Sequence, residues 1–265
     1  MRRPFMLRML PPVFRQRVWS RFYRPTPHRF FPLFDAAPLH FAPALTMKLV
    51  PGDVICDAIA MTGVYDLRLT RWLLRIAGDE GGVFVDVGAN LGYFSLLWAA
   101  RSRGNRAVAF EASPRNFDLL RHNVHESGLG ERISVRSEAV GSKRGTMHFD
   151  AGPADQTGWG GFSREPSDAS VAVDVLPLDE ALRDVPEVAV LMVDIQGADF
   201  WALQGAERIL RERRVRHIIW EENKPRMQQL GIAPHQPRQF MESLGYQPVP
   251  LDNEAPGASH WHARA

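Results

Sequence analysis

The sequence predicts an α/β chain: a doubly wound, mostly parallel sheet with an antiparallel last strand and an N-terminal extension. Three observations carry this expectation. Short apolar runs rich in β-branched residues, Val83–Val87, Ala107–Phe110, Ile133–Arg136, Val188–Asp194 and Val215–Trp220, alternate with stretches of helical spacing. Several of these runs end at an acid or a glycine: Gly88, Glu111, Asp194 and Glu221 fall at strand C-termini, where sheets of this kind bind ligands. At 265 residues and 45% apolar composition, the chain can fill the core of one sizeable domain.

Residues 1–47 form a distinct arm. Residues 1–34 contain eight arginines and no Asp or Glu, leaving 24 basic against 30 acidic residues, a net −6, for the remainder of a chain whose overall charge is +2. Eight prolines interleave with Phe14, Trp19, Phe22, Tyr23, Phe30, Phe31, Phe34 and Phe41. Such a segment is too apolar for a solvated tail and too proline-rich for one long helix. Short helices and extended pieces packed on the domain are expected, with a membrane surface or a dimer as possible contacts. Arg8 and the prolines break the apolar start well short of a signal-peptide core, and no run approaches the ~20 apolar residues of a membrane span. The arginine-rich, acid-poor start also has the composition of an organelle transit peptide. The lone cysteine, Cys56, cannot form an internal disulfide, which fits a reducing cytoplasm.

Residues 48–82 read as a cap: a small strand-turn-strand at Lys48–Ala60 around Pro51-Gly52-Asp53, then a helix over Tyr65–Ile76 and a turn at Gly78–Gly82. The main domain, 83–265, starts with Val83–Val87 and the loop Gly88-Ala89-Asn90-Leu91-Gly92, after which Phe94, Leu97, Trp98 and Arg101 recur at helical spacing. Two glycines four apart let the backbone approach a ligand, and the free N–H groups of the next helix face the same point. The loop lacks the Gly-x-Gly-x-x-Gly of a dinucleotide site and the Lys of a P-loop, so pyrophosphate binding is disfavoured. Glu111 ends the second strand 23 residues beyond Gly88, where a carboxylate accepts hydrogen bonds from both hydroxyls of a ribose. The ligand expected is a nucleoside without a phosphate.

These residues carry a resemblance. Val-Asp-Val-Gly-Ala-Asn-Leu-Gly-Tyr-Phe-Ser at 85–95, Ala-Phe-Glu-Ala-Ser-Pro at 109–114 and Val-Asp-Ile-Gln-Gly-Ala-Asp at 193–199 resemble the FkbM family of S-adenosylmethionine-dependent methyltransferases, across roughly residues 80–225. The resemblance implies a class I methyltransferase, Rossmann-like fold, S-adenosyl-L-methionine as cofactor, and methyl transfer to a hydroxyl of a sugar, glycan or secondary metabolite. On this reading Asp86 lies beside the ammonium end of the cofactor, with Gly88, Asn90 and Gly92 in its loop, Glu111 on its ribose and Glu138 along its adenine. Asp194 orients or deprotonates the acceptor hydroxyl, against the alternative that it caps the following helix. Glu221 and Glu222 form a second acidic pair by the pocket mouth. The third motif departs from the family's Lys-Ile-Asp-Val-Glu-Gly-Ala-Glu, since Met192, Gln196 and Asp199 stand where Lys and the two glutamates would be. A non-catalytic cofactor-binding protein therefore remains a rival, as does a nucleotide-dependent oxidoreductase on a similar sheet.

A helix from Ser113-Pro114 to Gly128 follows Glu111. An insertion at about 146–175 is bracketed by two exposed strands, and its Trp159 and Phe162 belong either to a lid over the substrate or to an ordinary mobile loop. Later come one helix over Asp199–Arg213, a helical segment at 234–244, and an antiparallel pair at 246–251 and 260–263. His122 with His125, and His260 with His262, lack the partners of a zinc site, so no metal is expected. No Gly-x-Ser-x-Gly, Cys-x-x-Cys or Asn/Asp-Pro-Pro-Tyr/Phe motif occurs. The expected acceptor is a small molecule or glycan and not nucleic acid, for which the arginine arm alone is weak evidence.

Overall fold

A computed structural model of the chain describes residues 3–22, 30–165, 170–255 and 258–265. The expectations for residues 23–29 of the arm and 166–169 of the insertion lie outside the described residues.

Seven strands form the main sheet: β1 Val83–Val87, β2 Arg106–Phe110, β3 Ile133–Arg136, β4 Val188–Val193, β5 Val215–Asn223, β6 Val249–Ala255 and β7 Ala258–Arg264. Their order is β6-β7-β5-β4-β1-β2-β3. All neighbouring pairs are parallel from β5 through β3, whereas β7 runs antiparallel to β5 and to β6. The order reverses between β1 and β4, which places the ligand crevice outside their C-terminal ends.

The period-2 alternation of β1 sorts its side chains between two cores. Phe84 joins the cluster under helices α4 (Leu67–Asp79) and α5 (Tyr93–Arg101), with Leu73, Leu97 and Trp98. Val85 and Val87 join the opposite cluster with Leu203, Leu210 and Trp220. Every residue of β4 is buried, as expected for the central strand of a sheet covered on both faces. The arm forms α1 (Phe5–Met9) and α2 (Pro12–Phe22), and its Leu7, Trp19, Leu33 and Phe34 are buried in the first cluster.

Three local expectations need correction. Residues 54–62 are helix α3 (Val54–Thr62), not strand-turn-strand: Asp53 is its N-cap, accepting from Cys56 N–H at 2.6 Å, and Gly63 ends it at φ 82°. The helix expected over 199–213 is two, α7 (Asp199–Gln204) and α8 (Glu207–Arg211), separated at Gly205, where a Cβ would lie 2.1 Å from the Gly141 carbonyl oxygen. A helix at Lys224–Gln229, capped by Asn223, follows β5 directly. The insertion strands Gly145–Asp150 and Ser170–Leu176 pair antiparallel and are not merely exposed: with Gly161–Ser163 and Ala139–Val140 they make a second four-stranded sheet that buries Phe149, Phe162, Val173 and Val175. The helix expected from Ser113 is α6 (Pro114–Glu126), and that expected near 234–244 is α9 (Gln236–Ser243).

Candidate active site

The crevice at the β1/β4 switch holds a cavity enclosing about 1140 Å³ of empty space, its open mouth included. Gly88, Asn90, Glu111, Glu138, Phe162, Asp194 and Glu221 all line it. Gly92 and Trp159 do not. Gly92 (φ 91°) starts α5, and a Cβ there would meet Leu120 Cδ1 at 2.7 Å; Trp159 is 56% exposed, and its carbonyl accepts from Arg226 at 2.8 Å. Asp86 sits behind the lining.

The glycine loop is held closely. Gly88 has φ 88°, and a Cβ on it would lie 2.0 Å from the carbonyl oxygen of Asp194, so this position joins β1 to β4 without room for a side chain. Asn90 also has positive φ, 50°, which Asn tolerates. Glu111 staples the loop: its Oε2 accepts from Asn90 N–H at 2.8 Å and its Oε1 from Ser113 N–H at 2.9 Å. Each oxygen keeps a further lone pair. Ser113 precedes α6 but makes no side-chain cap bond. Glu138 is partly committed to Arg136, whose Nε donates to it at 3.1 Å, and this pairing holds the Glu138 carboxyl below its ordinary range.

The more deeply buried carboxyls are all shifted upward. Burial pushes the Asp86 carboxyl up to about 7 against the Ser95 hydroxyl, which donates to it at 2.6 Å, and burial likewise pushes Glu111 to about 7 despite its two backbone donors. Asp194 is raised by burial, with the His260 field and the Gln196 amide (Nε2 to Oδ1, 3.4 Å) opposing. Glu221 is pushed to about 9, by burial first and then by the charge of the neighbouring Asp194. Among the described residues that line the cavity there is no Lys, Arg or His. An apolar-walled pocket with four lining carboxyls and no internal cation fits a ligand that brings positive charge of its own.

Other expectations meet different geometry. Asp194 does not cap α7, whose N-cap is Ala198 with no side-chain bond. Asp199 is buried and joins two segments, accepting from Gly197 N–H at 3.2 Å and Glu221 N–H at 3.1 Å. Glu222 is not at the pocket mouth: strand alternation turns it to the far face of β5, where Arg238 donates to it at 3.0 Å. His262 lies against His217 at 3.2 Å, and among the described residues no three ligating side chains could hold a metal ion.

One wall of the cavity was not expected from the sequence, and the insertion covers it through residues other than Trp159. Ile55, Cys56 and Ile59 of α3, with Tyr65, close one side. Above them Thr157, Gly158 and Gly160 of the insertion are pinned down: Asp53 Oδ2 accepts from Thr157 N–H at 2.6 Å, and Asn116 donates to the Thr157 carbonyl at 2.8 Å. Asp53, directly before an apolar run with Asp57 in its first turn, was the signal that could have revealed α3.

Strand order, switch-point cavity and the Gly-loop/Glu111 cradle define a class I methyltransferase. Among solved structures, the chain resembles a precorrin-6Y C5,15-methyltransferase from Geobacter metallireducens (11% identity, TM-score 0.44, 76% of this chain and 89% of that one). It also resembles the C-terminal domain of the Rhodobacter capsulatus precorrin-6Y enzyme (15%, 0.43, 76% and 91%) and the N-terminal domain of human METTL16 in complex with SAH (15%, 0.42, 76% and 71%). Among curated proteins no sequence matches. Residues 86–248 match the methyltransferase FkbM domain, and the chain belongs to that family. Its cofactor is S-adenosylmethionine. The residues fit it: Asp86 Oδ1 and Asn90 Oδ1 are buried polar atoms with no partner in the protein, beside a glycine cradle that a Cβ would fill.

Proposed function

We propose that the protein methylates a hydroxyl oxygen of a small, phosphate-free acceptor, such as a sugar, glycan or secondary metabolite. The observation that carries this reading is the buried Asp194–Glu221 carboxyl pair at the cavity wall, with Glu221 Oε2 left without a partner. Bound S-adenosylmethionine supplies a methyl group on a sulfonium, a leaving group that keeps the C–S electron pair. Glu111 would hold the ribose, Gly88, Ala89 and Asn90 the methionine end with the Asp86 charge behind them, and Glu138 and Ala139 would edge the adenine. Burial and the charge of Asp194 hold Glu221 toward its protonated form, able to donate a hydrogen bond to Asp194. Asp194 accepts the hydrogen bond of the acceptor hydroxyl, aligns its oxygen with the methyl carbon, and takes the proton as the C–O bond forms. Phe162 and Tyr65 close the acceptor side against water. The cation-free lining speaks against the pyrophosphate of a nicotinamide cofactor and against a nucleic-acid acceptor. The lone Cys56, free and buried, suits a reducing cytoplasm.

The test is an acceptor panel read by S-adenosylhomocysteine release, with Asp194→Asn as the variant. Loss of a positioned base lowers turnover by about 10²–10⁴-fold, while cofactor affinity stays within a few fold. Tight cofactor binding with no turnover on any hydroxyl would favour the non-catalytic alternative. Full activity of Asp194→Asn would move the base elsewhere.

A further inference from the structure

The arm has two sides of opposite character. Inward, Arg3 donates to the carbonyls of Ala60 (2.7 Å) and Ile59 (3.0 Å), and Arg15 to that of Thr62 (2.9 Å), so two cations cap the C-terminal end of α3. Leu7 and Trp19 are buried beneath. The arm is therefore docked on a helix whose other side, through Ile55, Cys56 and Ile59, lines the cavity. Outward, α1 and α2 expose Phe5 (71%), Met9 (69%), Phe22 (65%) and Phe14 (51%), with Met6 and Val13. These six, within 18 residues, are more than half of the large apolar side chains exposed among the described residues. Monomeric surfaces rarely leave so dense an apolar group in water.

Arg8 and Arg21 are exposed among these apolar groups, and no acidic residue occurs anywhere in residues 1–34. Aromatic and thioether side chains interleaved with arginines on short helices match a bilayer interface, where rings sit at headgroup depth and guanidinium groups pair with lipid phosphates. A neutral apolar partner would not select for uncompensated positive charge. No helix among the described residues is long and apolar enough to cross a membrane, so such a contact would be peripheral.

We infer that the outward face of α1 and α2 is a docking surface for an anionic lipid bilayer, holding the wall helix α3, and with it the cavity, beside the membrane.

Co-sedimentation of the full chain with phosphatidylglycerol/phosphatidylcholine vesicles, and with phosphatidylcholine alone, tests it. Binding is expected to the anionic vesicles alone and to weaken as salt rises from about 0.1 to about 1 M, where the screening length falls from about 10 to about 3 Å. Arg8→Gln with Arg21→Gln removes two charges and should weaken partitioning by about 30-fold, at roughly fivefold per charge near an anionic surface. Phe5→Ser with Phe14→Ser and Phe22→Ser should abolish it. Cofactor affinity and melting temperature stay unchanged in both variants, since the altered side chains are exposed. No binding to anionic vesicles, binding indifferent to both variants, or a sedimentation-velocity dimer dissolved by the serine variant without any vesicle binding would overturn the inference, the last by assigning the face to a second copy.

Discussion

Replacing Glu111 by Gln separates the carboxylate's hold on the loop from its hold on the ligand. Both oxygens accept backbone N–H groups, from Asn90 at 2.8 Å and Ser113 at 2.9 Å. A Gln offers one oxygen and one NH2, so one buried N–H loses its acceptor, at a cost of about 1–3 kcal/mol. Against this, the wild-type carboxyl is raised from 4.5 to about 7 by burial, which at 1.36 kcal/mol per tenfold holds roughly 3 kcal/mol against its ionised form. The folded pKa lies above the unfolded one, so the wild-type contribution is intact below about 4.5 and is lost as pH rises through about 7. Without cofactor, the variant should therefore melt below wild type at pH 5 and converge on it, or pass it, by pH 8. Binding behaves differently: losing a charge-assisted bond to a ribose hydroxyl costs about 1.5–3 kcal/mol, or roughly 10–150-fold in Kd. Calorimetry with S-adenosylhomocysteine at pH 8, beside melting curves at both pH values, reads both effects. A change in Kd under about threefold with the fold intact would refute the ribose contact, and parallel melting-temperature offsets at the two pH values would refute the buried-charge argument.

Three further outcomes follow from the same geometry. Gly88→Ala must place a Cβ 2.0 Å from the Asp194 carbonyl oxygen at φ 88° and should lose cofactor binding and most of its thermal stability, whereas Gly104→Ala, with nothing within 4 Å, should melt like wild type. With Asp86 and Glu111 near 7 and Glu221 near 9, the melting-temperature gain from S-adenosylmethionine should grow across that pH window. It should also exceed the gain from S-adenosylhomocysteine, which lacks the sulfonium charge; equal gains would mean the carboxyls do not sense the ligand's charge. Gln196→Glu exchanges a donor to Asp194 for a second carboxylate, so turnover and melting temperature should both fall, and Met192→Lys added to it should recover part of each loss. A single variant as active as wild type would show that position 196 does not reach the pair's electrostatics.

Much of the fold was legible because its strands are short, apolar and sharply ended. Gly88, Glu111, Asp194 and Glu221 follow or end such runs, and their convergence follows from parallel topology alone. What was hidden depends on partners distant in sequence. Val-Ile-Cys-Asp-Ala-Ile-Ala at 54–60 has the composition of a strand, and its helix is set by the Asp53 cap and by packing beneath the arm. The glycine at 205, between the two helices, is required by the Gly141 carbonyl, 64 residues earlier in the chain. Glu221 and Glu222 look alike as neighbours, but strand alternation sends one to Asp194 and the other to Arg238; the period-2 rule could have separated them had β5 been extended past Trp220.

The third motif shows what a motif comparison omits. Its departures from the family pattern lose a cation at 192 and an anion at 196, and these two charges offset each other. In the structure Met192 is an apolar wall of the cavity, while Gln196 donates to Asp194 and accepts from Asn223 at 3.1 Å. With Met at 192, a Glu at 196 would set an uncompensated anion against two buried carboxyls that burial already disfavours in ionised form. Asp199, one methylene shorter than the family's Glu, still reaches the backbone N–H groups of Gly197 and Glu221. The three substitutions thus leave a site whose net charge and hydrogen bonds are consistent with one another, and on the function proposed above their effect belongs to the shape and polarity of the acceptor side.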